Sequence, residues 1–337
     1  MTLLVVDPRD ESQFRRWFGV LQRAELHRDQ GRGTGWQFEE WRAIALDPFA
    51  PGDVLAWSVG GTMAAVSCLR MTTLDNLSSV RADLFVEPTL RRRGYGRALL
   101  EATEERAKKA GRREIVVYAM EGAHEVDAAP NRGFAPCMGY EVGDDSRRLD
   151  IVWPLPRATR HALRDEWQPY ATDYDVVSWL RDTPDEFLEE RARLAGTMLT
   201  AAPWANLEHE DEVWSPQRVR THESTARDMG RLLMVSVARL RSSATLVAYS
   251  ELTISELAPE TAYQWDTLVS PEHRGHRLGG LIKLANFDLL EASGLSPRRI
   301  STFNSTVNEP MMRVNRALGG ALGGAAVQWR KTLASSS

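Results

Sequence analysis

The segment Val86-Glu87-Pro88-Thr89-Leu90-Arg91-Arg92-Arg93-Gly94-Tyr95-Gly96-Arg97-Ala98-Leu99-Leu100 combines residues suited to holding phosphate. Pro88 stops an apolar run, and Gly94 and Gly96 stand one residue apart where a helical pattern begins. Glycines at that spacing let the backbone turn tightly and aim several N–H groups one way. The start of a helix adds partial positive charge there. The chemistry implied is a diphosphate cradle, with Arg91, Arg92 and Arg93 available for outer phosphates. One short glycine loop is weak evidence, but the arrangement recurs at Val269-Ser270-Pro271-Glu272-His273-Arg274-Gly275-His276-Arg277-Leu278-Gly279. There Arg274 and Gly279 keep the pattern and Arg277 replaces the middle glycine. Backbone N–H groups do not depend on the side chain, so the second cradle still works if residue 277 is helical.

The two loops belong to a longer repeat. Asp83-Leu84-Phe85-Val86-Glu87-Pro88 is echoed by Asp266-Thr267-Leu268-Val269-Ser270-Pro271 at an offset of 183. Arg91 and Gly96 map to Arg274 and Gly279, and Ala65, Ser67 and Leu69 to Ala248, Ser250 and Leu252, at the same offset. Near the ends, Met138-Gly139-Tyr140 resembles Leu318-Gly319-Gly320 with the offset slipped to 180. A fixed offset held over roughly 30 residues points to two copies of one domain, within the usual size of a domain.

The elements that position these loops follow from periodicity. In copy one the spacing predicts a helix over 11–30, a hairpin of 54–59 and 63–71 turning at Gly60-Gly61, and a strand over 80–86. A helix over 95–110, a strand over 114–120, a short helix over 134–138 and a closing strand over 149–153 follow. In copy two, a strand over 174–179 precedes helices over 184–197 and 215–229, then a hairpin of 232–240 and 244–255. Next come a strand over 262–269, a helix over 278–293, a strand over 299–303, a helix over 308–318 and a last strand over 326–333. The expected fold is mixed α/β: two tandem domains, 1–155 and 170–334, each a mainly antiparallel sheet flanked by helices. The proline-bearing segment 156–169 is the expected linker.

An Arg-x-x-Gly-x-Gly loop between a Val-x-Pro strand end and a helix, found twice, resembles the GNAT superfamily of N-acetyltransferases. With two such domains the chain is similar in architecture to the mycothiol synthases. The resemblance implies that acetyl-CoA is the acyl donor, with its pyrophosphate on Arg91, Arg92, Arg93, Gly94, Tyr95 and Gly96. In copy two it implies Arg274, Gly275, Arg277 and Gly279 for the same role. The preceding strand is implied to splay from the next and to pair with the pantetheine arm at Leu84 and Val86, and at Thr267 and Val269. An Asn that opens the later helix and touches the cofactor corresponds to Asn308; in copy one the same count lands on Ala128.

Acetylation needs a neutral amine, a polarised thioester and groups that take and return a proton. The resemblance implies a Glu eight residues before the motif proline, but Val80 and Tyr263 stand there. It implies a Tyr acid four residues before the late glycine, but Ala135 and Asn315 stand there. A substitute lies on the neighbouring strand. If the hairpin of copy two turns near residue 258, residue 251 opposes residue 265, and Glu251 shares a face with Tyr263, Trp265, Thr267 and Val269. A one-residue bulge would reverse that parity. Copy one has Cys68 at the matching position. Glu251 and Tyr263 are therefore the expected catalytic residues, with copy two active and copy one cofactor-binding or degenerate. Asp83 and Asp266 face away from the pantetheine positions and are expected to cap or to pair with Arg. Arg218, Arg220, His222 and Glu223 are spaced for salt bridges along a helix face. The acidic run 208–212 reads as a solvated face; the resemblance implies that this region borders the acceptor site, and the alternative reading is that the run attracts a cationic amine there.

Composition bounds the rest. Forty-two Lys and Arg against 46 Asp and Glu give a net charge of −4, against a general nucleic-acid binder. Two cysteines make neither a disulfide framework nor a Cys-rich zinc site, and the seven histidines lack metal-ligand spacing, so no metal is expected. Residues 1–7 lack a signal peptide's basic region, and no apolar run approaches a membrane span. A cytoplasmic monomer or homodimer acting on a small-molecule amine, with no nucleic-acid or membrane partner, is the expectation. The alternatives are a non-catalytic acyl-CoA sensor and a protein N-acetyltransferase.

Overall fold

The computed structural model describes residues 1–28, 35–122 and 131–333. Residues 29–30 of the expected first helix, Ala128 and Ala334 lie outside the described residues. In chain order the elements are β1 (Thr2–Val5), α1 (Glu11–Arg28), α2 (Phe38–Ala45), β2 (Gly52–Val59), β3 (Thr62–Arg70), β4 (Ser79–Val86), α3 (Tyr95–Lys109), β5 (Glu114–Gly122), α4 (Asn131–Cys137) and β6 (Glu141–Val152). There follow α5 (Arg157–Trp167), β7 (Tyr174–Leu180), α6 (Leu188–Gly196), α7 (Met198–Ala201), α8 (Pro216–Asp228), β8 (Arg231–Leu240), β9 (Leu246–Ser255), β10 (Thr261–Val269), α9 (Leu278–Ala292), β11 (Arg299–Ser305), α10 (Glu309–Ala317) and β12 (Ala321–Thr332). The fold is mixed α/β with mainly antiparallel pairing. The short β1 and α2 have no counterpart in the sequence-based expectation.

The first unit comprises residues 1–146, 205–207 and 324–337. Its strands lie in the order β1-β2-β3-β4-β5-β12. Gly60 and Gly61, at φ +58° and +83°, supply the two left-handed residues that a tight β2–β3 turn requires. One face carries α1 and α2 over an aromatic core that includes Phe14, Trp17, Phe38 and Trp41. The other carries α3 over Leu55, Leu69, Leu99 and Ile115.

The second unit comprises residues 147–204 and 208–323. It runs from the later part of β6 through β11-β10-β9-β8 to β7. On one face α9 packs Leu281, Ile282, Leu284 and Phe287 on Ala248, Leu252 and Ile254. The opposite face packs Leu194 of α6 and Ala226 of α8 on Val235 and Tyr249.

This division differs from the expected 1–155 and 170–334. The last strand of the chain, β12, completes the first unit: Gly324 to Thr332 pair antiparallel with Gly122 to Glu114. The end of β6, written as the closing strand of copy one, serves the second unit, where Ser301 Oγ donates to Asp150 at 2.6 Å and Trp153 N–H to Arg298 at 3.1 Å. Nor is 156–169 a bare linker. Helix α5 docks on α9, Arg160 bridging Asp288 and Glu291 at 2.7 and 2.8 Å. Trp167 lies flat on Gly280, where an added Cβ would come within 2.4 Å of the indole. The prolines at 154 and 156 mark the entry to that helix, and proline is well suited to that place.

Gly280→Ala is expected to lower stability by roughly 1–3 kcal/mol, the usual penalty for overpacking a filled contact. Denaturant unfolding monitored by tryptophan fluorescence measures it, and a loss below the error of the fit would mean that Trp167 simply swings away.

Candidate active site

Each unit contains a parallel strand pair that parts. In the first, β4 and β5 are laddered only from Ser79 to Ala82 against Glu114 to Val117, although both strands run on. In the second, β10 and β11 are laddered only from Thr261 to Gln264 against Arg299 to Thr302. Beyond those points each pair leaves a cleft edged by backbone without strand partners. Leu84 and Val86 oppose Ser67 and Ala65 of β3 on the side away from the cleft. Thr267 and Val269 oppose Ser250 and Ala248 of β9 in the same way.

The glycine loops follow at the ends of these strands, and their backbones match. Each has two left-handed residues spaced two apart. In the first loop they are Arg92 (φ +62°) and Gly94 (+85°); in the second, Gly275 (+90°) and Arg277 (+57°). Glycine occupies the second such place in one copy and the first in the other. Arg277 is thus left-handed rather than helical as the sequence reading required, yet it starts α9 as Gly94 starts α3. The first α3 amide to find a helical acceptor is Ala98, donating to Gly94 O at 3.0 Å. The amides of Tyr95, Gly96 and Arg97 therefore have no acceptor within the helix. Gly96 and Gly279 press on the strand end: a Cβ on Gly96 would sit 3.1 Å from Val86 Cγ2. Arg91 and Arg274 both brace their loops, each Nε–H reaching the carbonyl of the last strand residue, Val86 or Val269, at 3.4 and 3.3 Å. Arg92 and Arg93 are exposed. Asn308 caps α10, its Oδ1 accepting from Met311 N–H at 3.3 Å.

On the α6/α8 face of the second unit lies a charged cluster. Glu251 is 2% exposed, and both of its oxygens are engaged. Oε1 accepts from Arg191 of α6 at 2.5 Å, and Oε2 meets Nε2 of His222 of α8 at 3.0 Å. Burial alone would raise the carboxyl's pKa, but His222 and Arg191 outweigh it and hold the group well below the usual carboxylate range. His222 is itself pushed up: burial opposes its charge, and the facing Glu251 more than compensates. The Arg191 guanidinium lies 3.7 Å from the Tyr249 ring centroid, and the Tyr249 hydroxyl donates to Asp266 at 3.1 Å. Burial and the Glu251 charge both raise the Asp266 pKa.

The strand register explains who shares this face. Ser250 opposes Thr267 and Leu252 opposes Gln264, so Trp265 and Asp266 together face Glu251 as a bulge. The bulge reverses the parity after it. Thr267 bonds Ser250 at 2.9 Å, and Val269 packs in the α9 core. Neither shares the face of Glu251, as simple alternation would have it; Trp265 and Asp266 do. Tyr263 lies one register step from this group, opposite Thr253, with the Arg231 guanidinium 5.2 Å from its ring. Arg191 and His222 were missed as site residues, and the expected helix-face pairing holds only for Arg220 with Glu223, at 2.9 Å. Of the acidic run, Glu212 pairs with Arg218 at 3.5 Å.

The first unit has no such cluster among its described residues at the matching place. Cys68 is fully buried there in the aromatic core, its thiol pushed up to about 12 chiefly by burial, and it opposes Asp83, which pairs with Arg70 at 3.6 Å.

A second polar chain runs on the α9 face. Lys283, 1% exposed, donates to Asn315 Oδ1 at 2.8 Å, and Asn315 Nδ2 donates to Asn304 of the parted β11 at 2.5 Å. A lysine inside the apolar run of 278–290 was the signal available in the sequence. Burial lowers its pKa to about 7. No group of His, Cys, Asp and Glu that could hold a metal ion occurs among the described residues, and no described helix is long and apolar enough to cross a membrane.

Two outcomes are expected. Gly94→Ala and Gly275→Ala should each cost about 1–2 kcal/mol in denaturant unfolding, because a Cβ is disfavoured in the left-handed region while the space around both is open. Between pH 7 and about 10.4 the unfolded chain keeps a proton on Lys283 that the folded chain gives up, so stability should rise with pH across that window. Unfolding at pH 7.5 and 9.5 should show that rise reduced in Lys283→Met; an equal rise in both proteins would mean that the buried amine keeps its proton.

Comparison with known proteins agrees with this geometry. Residues 19–134 match the Acetyltransferase (GNAT) family model. No curated protein matches the chain. Among solved structures, the tandem GNAT protein from the clavulanic acid biosynthesis pathway superposes with a TM-score of 0.76 at 24% identity, over 100% of this chain and 99% of that one. A GCN5-related N-acetyltransferase from Sphaerobacter thermophilus gives 0.65 at 15% identity, over 98% and 95%. Eis1 from Mycobacterium abscessus gives 0.51 at 15% identity, over 99% and 74%. The family match lies in the first repeat, over residues 19–134, the same cleft, loop and helix are built a second time in the second unit, and the solved structures share the tandem GNAT fold over the length of this chain.

Proposed function

We propose that the second unit transfers the acetyl group of acetyl-CoA to the amine of a small molecule, and that the first unit binds acyl-CoA without catalysing transfer. The observation that carries this reading is the Arg191–Glu251–His222 group beside the parting of β10 and β11; at the matching place the described residues of the first unit have the aromatic core, Cys68 and an Arg70–Asp83 pair, and no imidazole or second carboxylate meets them. Acetyl-CoA fits both clefts on the same grounds. Unpartnered amides open α3 and α9, exposed arginines flank the loops, and a strand edge lies free for an amide-bearing arm. In this reading the pyrophosphate lies over Arg91 to Gly96 in the first unit and over Arg274 to Gly279 in the second. Leu84, Val86, Thr267 and Val269 offer backbone to the pantetheine, and the capping Asn308 flanks the cofactor. Glu251 supplies the fixed negative charge on which proton removal from the amine depends, and Tyr263 is the second polar group of the same wall.

Free thiol released from acetyl-CoA, measured with a panel of spermidine, tryptamine, glucosamine and lysine, tests the reading. Glu251→Gln keeps the shape and removes the charge. The rate with the best acceptor should fall by about 10²–10⁴, with calorimetric acetyl-CoA affinity little changed. Stability should fall too, by up to about 3–5 kcal/mol, since Arg191 loses its buried counter-charge. A wild-type protein that binds acetyl-CoA and acetylates none of the panel would instead favour the sensor reading.

A further inference from the structure

Glu251 cannot itself touch an amine. It is 2% exposed, with one oxygen held by Arg191 and the other by His222. The histidine is placed differently. Its side chain is 28% exposed, and its ring stands between Trp214 and Trp265, with centroids 5.8 and 5.6 Å away. Trp265 is the first residue of β10 beyond the parallel ladder, so the imidazole borders the point where β10 and β11 part. Because Nε2 meets a carboxylate, the neutral ring carries its hydrogen on Nε2 and its lone pair on Nδ1. Among the described residues Nδ1 has no hydrogen-bond partner.

We propose that His222 is the general base of the second unit, taking the acceptor amine's proton on Nδ1, with Glu251 as its positioning residue; this rests on the acyl transfer proposed above. The nitrogen lone pair attacks the thioester carbonyl and the N–C bond forms. The proton lost by nitrogen goes to Nδ1, the C–S bond breaks, and coenzyme A leaves as the thiolate. The imidazolium then returns its proton to that thiolate, so the net step moves one proton from nitrogen to sulfur. Several charged groups face the ring. Glu251 from β9 and Asp266 from β10 favour its charged form, and Arg191 from α6 opposes it. Arg218 of α8 and Glu212 pair with each other beside Trp214.

The test is the pH dependence of kcat/KM with acetyl-CoA and whichever of spermidine, tryptamine, glucosamine or lysine the wild-type protein acetylates fastest. The wild type should lose rate as pH falls through a value above 6.5. His222→Gln should lower kcat by about 10²–10⁴ and abolish that acid limb, with acetyl-CoA affinity intact by calorimetry. Glu251→Gln should move the limb to lower pH, which a purely structural carboxylate would not do. An active wild type whose His222→Gln variant keeps its kcat and limb overturns the base assignment and leaves acyl transfer standing. No acetylation of any panel amine removes both. Nitrogen NMR of the histidine-labelled wild type gives an independent reading: a ring with its hydrogen on Nε2, titrating above 6.5, supports the proposal, and a ring with its hydrogen on Nδ1 overturns it.

Discussion

A parallel strand pair that stops bonding after four residues leaves backbone amides and carbonyls facing an open cleft, and unmet backbone groups demand partners. Both units are organised around that break, at Ala82 and Val117 in one and at Gln264 and Thr302 in the other. The strand that continues past the break must then turn into a helix within a few residues. Two left-handed positions in each loop accomplish this, and they aim the free amides of the next helix toward the strand's end. Cleft, loop and helix N-terminus are one construction, and an extended ligand with amides along its length and phosphate at its end satisfies all of it together.

The two units spend the surface beside that cleft differently. In the first, Phe14, Trp17, Phe38 and Trp41 fill the face below α1 and α2, and the strand contributes an inert thiol. In the second, the same face buries a carboxylate and a guanidinium and holds a partly exposed imidazole against them. Burying ions costs more than an apolar packing of the same volume would, and their mutual attraction returns only part of that cost. Among its described residues the first unit manages with the Arg70–Asp83 pair opposite Cys68, so the fold does not require the imidazole–carboxylate pair. That pair is a functional observation before it is a structural one.

What could be read from the residues was local. The loops, the fixed offset of 183 and the alternation of strands lie within short windows, and the structure contains all of them. Three things escaped. The bulge at Trp265 and Asp266 adds one residue with no glycine or proline to announce it, and it turned Asp266 toward Glu251 and Thr267 away. The exchange of final strands is invisible because a strand's pattern fixes which face is buried and not which sheet receives it. The Arg191–Glu251 pair joins residues 60 apart, and nothing in either neighbourhood marks the partner.

The bulge also links these observations. Had β10 kept the register of its first half, Trp265 would oppose Glu251, and Asp266 would oppose Ser250 and face the other side. One extra residue instead keeps Asp266 with Trp265 on the α6/α8 face at the first positions beyond the parallel ladder. It thereby adds a second carboxylate near Arg191 beside the indole that meets His222. Bulges recur next to active sites because they re-aim side chains without breaking the sheet. Here the consequence is that Asp266 joins Glu251 and His222 beside the cleft of the second unit, whereas in the first unit, whose β3–β4 ladder has no bulge, Asp83 pairs with Arg70.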